Sequence, residues 1–328
     1  MHDKLLIISL PSHNCFLDLF RDIRTFPNVY IRDCGLRVID YRILSFLRKI
    51  HLCRWANTFK RLPAKYIWYN YYDIMNISHE LKCVLIFANV LQVIDLEILK
   101  NLKKKGIFIY ILFVDALNSK SSSIRGVMEN LKHLDCDKVF TFDLKDAQRY
   151  NFEYLKNFCY YSKHRVSRME LLSDAFFICL NKGNREKLIR EIYLKISKGG
   201  GRCNFNIKNG AQSSNKPLIQ GINYLNTYLP YDVVLEQVIG CNCIVEIVQE
   251  KQTGPTLRYF EAICYNKKLL TNNPYIINFP FYNAGHMKIF KTVSDIDVEW
   301  IKERKIIDYA YKDEFSPKHL VHYLLSLN

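Results

Sequence analysis

What the chain lacks narrows it first. Glycine and proline are scarce, 12 and 9 in 328 residues, and neither a low-complexity tract nor a repeat at solenoid spacing is present. With 49% hydrophobic residues, this composition excludes extended disorder and argues for packed globular structure. No apolar run approaches the ~18 residues of a membrane span, and the stretch near the start, Leu5–Leu10, is short for a signal segment. A cytoplasmic protein is expected, or one attached from its surface to the inner face of the plasma membrane. Cysteine is common, at 11 residues, but the number is odd and no C-x-x-C pair occurs. Cys83, Cys179, Cys241 and Cys243 lie in apolar runs, so buried reduced thiols explain them, and Cys241-Asn-Cys243 has no His or Cys cluster to complete a zinc site. Carboxylates are also in deficit, 32 against 47 Lys and Arg, for a net charge of +15. The partners should then be anionic: nucleic acid, a nucleotide diphosphate or anionic lipid.

The chain length suits two compact domains. In the first half, short runs that are apolar on both faces alternate with helical patterns: Lys4–Ser9, Asn28–Arg32, Cys83–Ala88, Ile107–Val114 and Lys138–Phe142 read as strands. Strands apolar on both sides belong to a covered, parallel sheet. Over Asp95–Lys105, Leu96, Leu99 and Leu102 form a stripe opposite Lys100, Lys103 and Lys104. From Asn151 to Leu172 the strands disappear and the segment turns aromatic and basic, as a link would. The alternation then resumes, with strands at Asp174–Leu180, Arg202–Ile207, Cys241–Val248 and Lys268–Thr271 and helices at Asn184–Ser197, Tyr231–Ile239 and Pro255–Tyr265. The expectation is α/β with two Rossmann-like domains, 1–160 and 161–315, and a terminal helix in 316–328 that can pack back on the first.

The segment richest in chemistry follows the strand Cys241–Val248. Thr253 reads as a helix N-cap, Gly254 permits close backbone approach and Pro255 suits a first helical turn, so exposed amides there would form an anion site beyond a strand's carboxyl end. Arg258 and Glu261 follow one turn apart. A guanidinium can fork onto a diphosphate and a carboxylate can accept two ribose hydroxyls; equally, the two can pair with each other. Lys182 and Arg185, after Asp174–Leu180, supply a second cationic turn, or two solvated charges at a helix start.

The run EIVQEKQTGPTLRYFEAICYNKKLLTNN resembles the donor segment of GT-B glycosyltransferases, and is most similar to bacterial capsule, O-antigen and lipopolysaccharide-core transferases. AFFICLNKGNREKLI, YDVVLEQV and KVFTFDLKDAQRYNFEY carry the same resemblance. It implies two domains facing a central cleft, with the acceptor on the first and a UDP- or GDP-sugar on the second. It puts Glu261 on the ribose and Lys182 and Arg185 at the donor; with Thr253, Gly254 and Thr256 of the turn, and Arg258 from its helix spacing alone, these are the expected donor-binding residues. Lys182 and Arg185 would replace a metal at the pyrophosphate, so no cofactor is expected. Where many retaining members have a Glu, this chain has Thr253, with Glu250 three residues earlier, and no stereochemistry is implied.

Asp33, Asp115 and Asp143 end first-half strands, where a base for an acceptor hydroxyl would sit, and His13 follows the first strand; helix caps are the competing role. Asp115 ranks first because ILFVDAL ends the most apolar strand, with His13 as the further candidate. Asp135-Cys-Asp137 has Asp-x-Asp spacing but precedes its strand, at the wrong end. Arg42–Arg61 reads as a basic amphipathic helix, with Ile43, Phe46, Leu47, Ile50 and Cys53 on its stripe, followed by the aromatics Tyr66–Tyr72. It suits either a core helix with a solvated basic face or an anionic membrane surface bearing a lipid-linked acceptor.

The leading expectation is transfer of a sugar to a bacterial cell-surface glycan or lipid-linked acceptor, with no nucleic acid as partner. The alternatives are a sugar-nucleotide epimerase and a non-enzymatic, basic nucleic-acid-binding protein. A dehydrogenase is disfavoured, because Pro11-Ser12-His13-Asn14 stands where Gly-x-Gly-x-x-Gly would seat a dinucleotide.

Overall fold

A computed structural model describes residues 3–11, 16–53, 64–117, 122–156, 160–166, 170–181, 185–208, 219–248 and 252–327. It forms two compact units, Met1–Ser162 with Phe315–Asn328, and Lys163–Glu314.

In the first unit, β1 (Lys4–Ser9), β2 (Val29–Asp33), β3 (Leu81–Phe87), β4 (Phe108–Phe113), β5 (Lys138–Thr141) and β6 (Glu153–Tyr154) are all parallel, in the order β2-β1-β3-β4-β5-β6. Leu5, Leu6, Ile7 and Ile8 are all fully buried, as are Val84, Leu85 and Ile86 beside them, so both faces of the centre are covered. The helices are α1 (Phe16–Leu19), α2 (Arg42–Leu52), α3 (Ile74–Ile77), α4 (Leu96–Lys104), α5 (Ser122–Lys132) and α6 (Leu144–Tyr150). Asp95 caps α4 by accepting from the Glu97 amide, and Ile98, Leu99 and Leu102 bury its inner stripe. The chain's last helix, Pro317–Ser326, belongs to this unit: Leu320, Val321 and Leu324 are buried, and Lys82 Nζ donates to the Leu325 carbonyl at 2.7 Å.

The second unit repeats the scheme with β7 (Ser173–Leu180), β8 (Cys203–Lys208), β9 (Ile222–Leu225), β10 (Cys241–Glu246), β11 (Lys268–Thr271) and β12 (Met287–Ile289). All are parallel, in the order β12-β11-β10-β7-β8-β9. Its helices are α7 (Arg185–Lys198), α8 (Tyr231–Ile239), α9 (Leu257–Cys264) and α10 (Val298–Lys302). Ile189, Ile192 and Ile196 of α7 pack with Phe177, Phe205 and Val245 in one core.

Strand order reverses between β1 and β3 in the first sheet and between β7 and β10 in the second, and ligands of open α/β sheets bind at such points, beyond the carboxyl ends. Three strands were not anticipated: β6, inside the segment read as a strandless link, and β9 and β12. All three are short edge strands, held by ladder hydrogen bonds on one side rather than by an apolar run.

Candidate active site

At the second reversal point, β7 ends in an apolar run and α7 opens at Arg185. The Arg185 guanidinium donates through Nη1 to the Ile247 carbonyl at 3.0 Å and through Nη2 to the Leu180 carbonyl at 3.1 Å. It therefore ties the carboxyl end of β7 to that of β10 and fixes a positive charge at the junction. Beside it, Glu186 accepts from Asn181 Nδ2 at 3.1 Å and from Arg190 Nη2 at 2.6 Å, holding the first turn of α7. Lys182 lies outside the described residues.

The turn after β10 differs from the sequence expectation. Its N-cap is Thr256, not Thr253: the backbone at Thr256 is extended, its hydroxyl accepts from the Arg258 amide at 3.1 Å, and α9 starts at Leu257. The cause is Glu246, the last residue of β10, which is 2% exposed. A buried carboxylate must find donors. Glu246 takes the Thr256 hydroxyl at 2.5 Å, the Thr271 hydroxyl at 2.5 Å and the Thr256 amide, while burial pushes its pKa up. The anion position expected on this turn's amides is thus partly filled by the protein's own carboxylate, and the Thr256 hydroxyl is engaged inside the protein. Asn273 Nδ2 reaches the carbonyls of Thr253 and Gly254 at 3.4 and 3.3 Å, so the Thr253-Gly254 backbone is anchored to the end of β11. Glu246 and Asn273 were missed in the sequence; the available signal was a carboxylate ending an otherwise apolar strand.

Arg258 and Glu261 pair with each other, Nη1 to Oε2 at 2.5 Å, and Tyr231 donates its hydroxyl to the other Glu261 oxygen at 3.1 Å. Glu261 is fully buried. Burial raises its pKa to about 7, against the opposing pull of Arg258 and Tyr231.

In the first unit the strand-end carboxylates separate by role. Asp33 accepts from the Gly35 amide at 2.6 Å and Asn70 Nδ2 at 2.7 Å, which makes it a turn residue. Asp143 is buried and caps α6 by accepting from the Lys145 and Asp146 amides at 3.0 and 3.2 Å. Asp115 is exposed, beyond the carboxyl end of β4 in a small crevice with Asn89, Phe113 and Leu117, and Asn89 Nδ2 donates to it at 3.3 Å. Asp137 accepts from the Ile109 amide at 2.7 Å and pairs with Lys103, at the amino end of the sheet. His13 lies outside the described residues. Among the described residues no group of three or more His, Cys, Asp or Glu converges on a metal position.

No protein-family model and no curated protein matches the chain. Solved structures do match in fold. Anabaena HepE in complex with UDP and glucose aligns at TM-score 0.56 and 9% identity, covering 99% of this chain and 100% of that one. An alpha-glucosyltransferase in complex with UDP and a 13-mer DNA containing a HMU base aligns at 0.53 and 11%, covering 98% and 94%. A variant of T4 phage BGT in complex with UDP-glucose aligns at 0.52 and 14%, covering 99% and 93%. Together with the two parallel sheets, these matches define the class of fold: the chain is a two-domain α/β protein of GT-B type.

Proposed function

We propose that the protein is a glycosyltransferase that moves a sugar from a nucleotide diphosphate to an acceptor hydroxyl. The observation that carries this reading is the Arg185 guanidinium at the β7/β10 reversal point, fixed between the carbonyls of Leu180 and Ile247. A fixed cation there opposes the charge that grows on a leaving diphosphate and does the work of a metal. Arg185 is the cation for the pyrophosphate, with Lys182 as a second candidate from the sequence; Thr253 and Gly254 give the backbone approach, and Thr256 holds that turn in shape. Arg258 and Glu261 serve the diphosphate and the ribose by parting from each other when the donor arrives. The donor is a UDP-sugar, supported by the UDP and UDP-glucose complexes of the similar structures, with a GDP-sugar as the second choice.

In the reaction, the acceptor oxygen bonds to the anomeric carbon, the bond from that carbon to the diphosphate oxygen breaks, and the hydroxyl proton passes to a base. Asp115 is the proposed base, because its carboxylate is exposed whereas Asp33 and Asp143 are occupied by backbone amides. His13 is the alternative. The acceptor is a bacterial cell-surface glycan or a lipid-linked oligosaccharide on the cytoplasmic side of the membrane.

Thermal-shift screening against nucleotide sugars tests the reading, with stabilisation by a UDP- or GDP-sugar expected. Conversion of the donor to an isomer without acceptor would instead identify an epimerase. A salt-dependent shift with random RNA, and none with any nucleotide sugar, would identify a nucleic-acid-binding protein.

A further inference from the structure

Helix α2 is mounted with its apolar face outward. Ile43, Phe46, Leu47 and Ile50 recur at the spacing of one helix face, yet they are 76%, 62%, 46% and 44% exposed, and no residue of α2 is buried. Its polar side faces the unit. Arg48 Nη1 donates to the Arg37 carbonyl at 2.7 Å, and Trp68 Nε1 donates to His51 Nδ1 at 2.7 Å. These two contacts hold the stripe toward solvent, which corrects the expectation of a core helix with a solvated basic face. Val38 and Tyr41, just before α2, extend the exposed apolar surface. Arg42 and Lys49, seven residues apart and both exposed, flank the stripe on one side. Across residues 36–52, Arg37, Arg42, Arg48 and Lys49 stand against the single carboxylate of Asp40.

We propose that α2 is a docking surface for an anionic lipid bilayer, with Ile43, Phe46, Leu47 and Ile50 in the acyl boundary and Arg42 and Lys49 at headgroup phosphates. Charge selects this occupant: a second copy would bring the same cations face to face on a chain of net charge +15, whereas an anionic bilayer complements both stripe and flank. The surface stands on α2 alone, and with the sugar-transfer reading it brings the enzyme to where a lipid-linked acceptor lies.

Co-sedimentation of the full chain with vesicles tests it, using phosphatidylcholine alone and phosphatidylcholine with about one third phosphatidylglycerol. Binding to the anionic vesicles only is expected, at least about tenfold weaker in the Arg42→Glu/Lys49→Glu variant and lost in Phe46→Glu, with the melting temperature unchanged. Equal binding to both vesicle types, or Phe46→Glu binding like the wild type, overturns the proposal. So does failure to bind vesicles together with a homodimer that Phe46→Glu dissociates in analytical ultracentrifugation. UDP affinity measured without vesicles keeps the two readings apart: vesicle binding without nucleotide binding leaves this surface standing and removes sugar transfer, and the converse removes only the surface.

Discussion

Arg185 and Ile247, 62 residues apart in sequence, meet at 3.0 Å where the strand order of the second sheet reverses. One guanidinium thus joins the carboxyl end of β7 to that of β10, and its charge is immobilised by the carbonyls it serves. Immobilised charge is what stabilises a leaving anion, because no reorganisation is needed when the charge develops.

Removing this strut should be felt twice. Arg185→Ala loses two hydrogen bonds from a charged donor, about 1 to 3 kcal/mol of stability, and the cation proposed to meet the diphosphate. Arg185→Lys keeps a charge but cannot fork onto both carbonyls. The expected order of melting temperatures is wild type, Lys variant, Ala variant, read by calorimetry.

Glu246 should be structural despite its position. Glu246→Ala strands the Thr256 and Thr271 hydroxyls and the Thr256 amide in a buried place, for a loss of roughly 2 to 5 kcal/mol. Glu246→Gln, which resembles the protonated form that burial favours, should cost well under half of that. Denaturant unfolding of the two variants gives the comparison, and a Gln loss as large as the Ala loss would show that the turn needs both carboxylate oxygens rather than the protonated form.

Glu261 makes stability depend on pH with a definite sign. Its folded-state pKa is raised from 4.5 to about 7, so the folded state binds the extra proton more strongly. The resulting stabilisation is full below about pH 4.5 and is lost as pH rises through about 7, on the order of 3 kcal/mol. Glu261→Gln should flatten that slope between about pH 4.5 and 7 in urea titrations; an unchanged slope would place its origin elsewhere.

Asp115 and Asp143 each lie two residues beyond a strand of the first sheet and should fail in opposite ways. Asp115→Asn is expected to lower kcat by roughly 100- to 10,000-fold, with donor affinity and melting temperature unchanged. Asp143→Ala should cost about 1 kcal/mol through the lost cap of α6 and leave kcat intact. Steady-state kinetics beside thermal melts separates the two outcomes.

The central strands were legible because β1, β3, β4 and β7 are apolar on both faces, and that pattern has few other meanings. The start of α9 was not, because Thr253 and Thr256 offer the same cap hydroxyl, and the choice fell to a buried Glu246 ten residues before the cap. Arg258 and Glu261 were found as a pair by spacing, but whether they face each other or a ligand depends on burial, which spacing does not carry. In α2 the amphipathic stripe was plain, yet its direction was set by Arg37 and Trp68, neither of them in the helix.

The central claim is that a nucleotide diphosphate sits at the β7/β10 junction, and titration calorimetry of UDP and GDP into the full chain tests it most directly. Saturable one-to-one binding of at least one nucleotide, weakened about tenfold or more by Arg185→Ala, is the predicted result. Absence of binding by both nucleotides, or undiminished affinity in that variant, would contradict the claim.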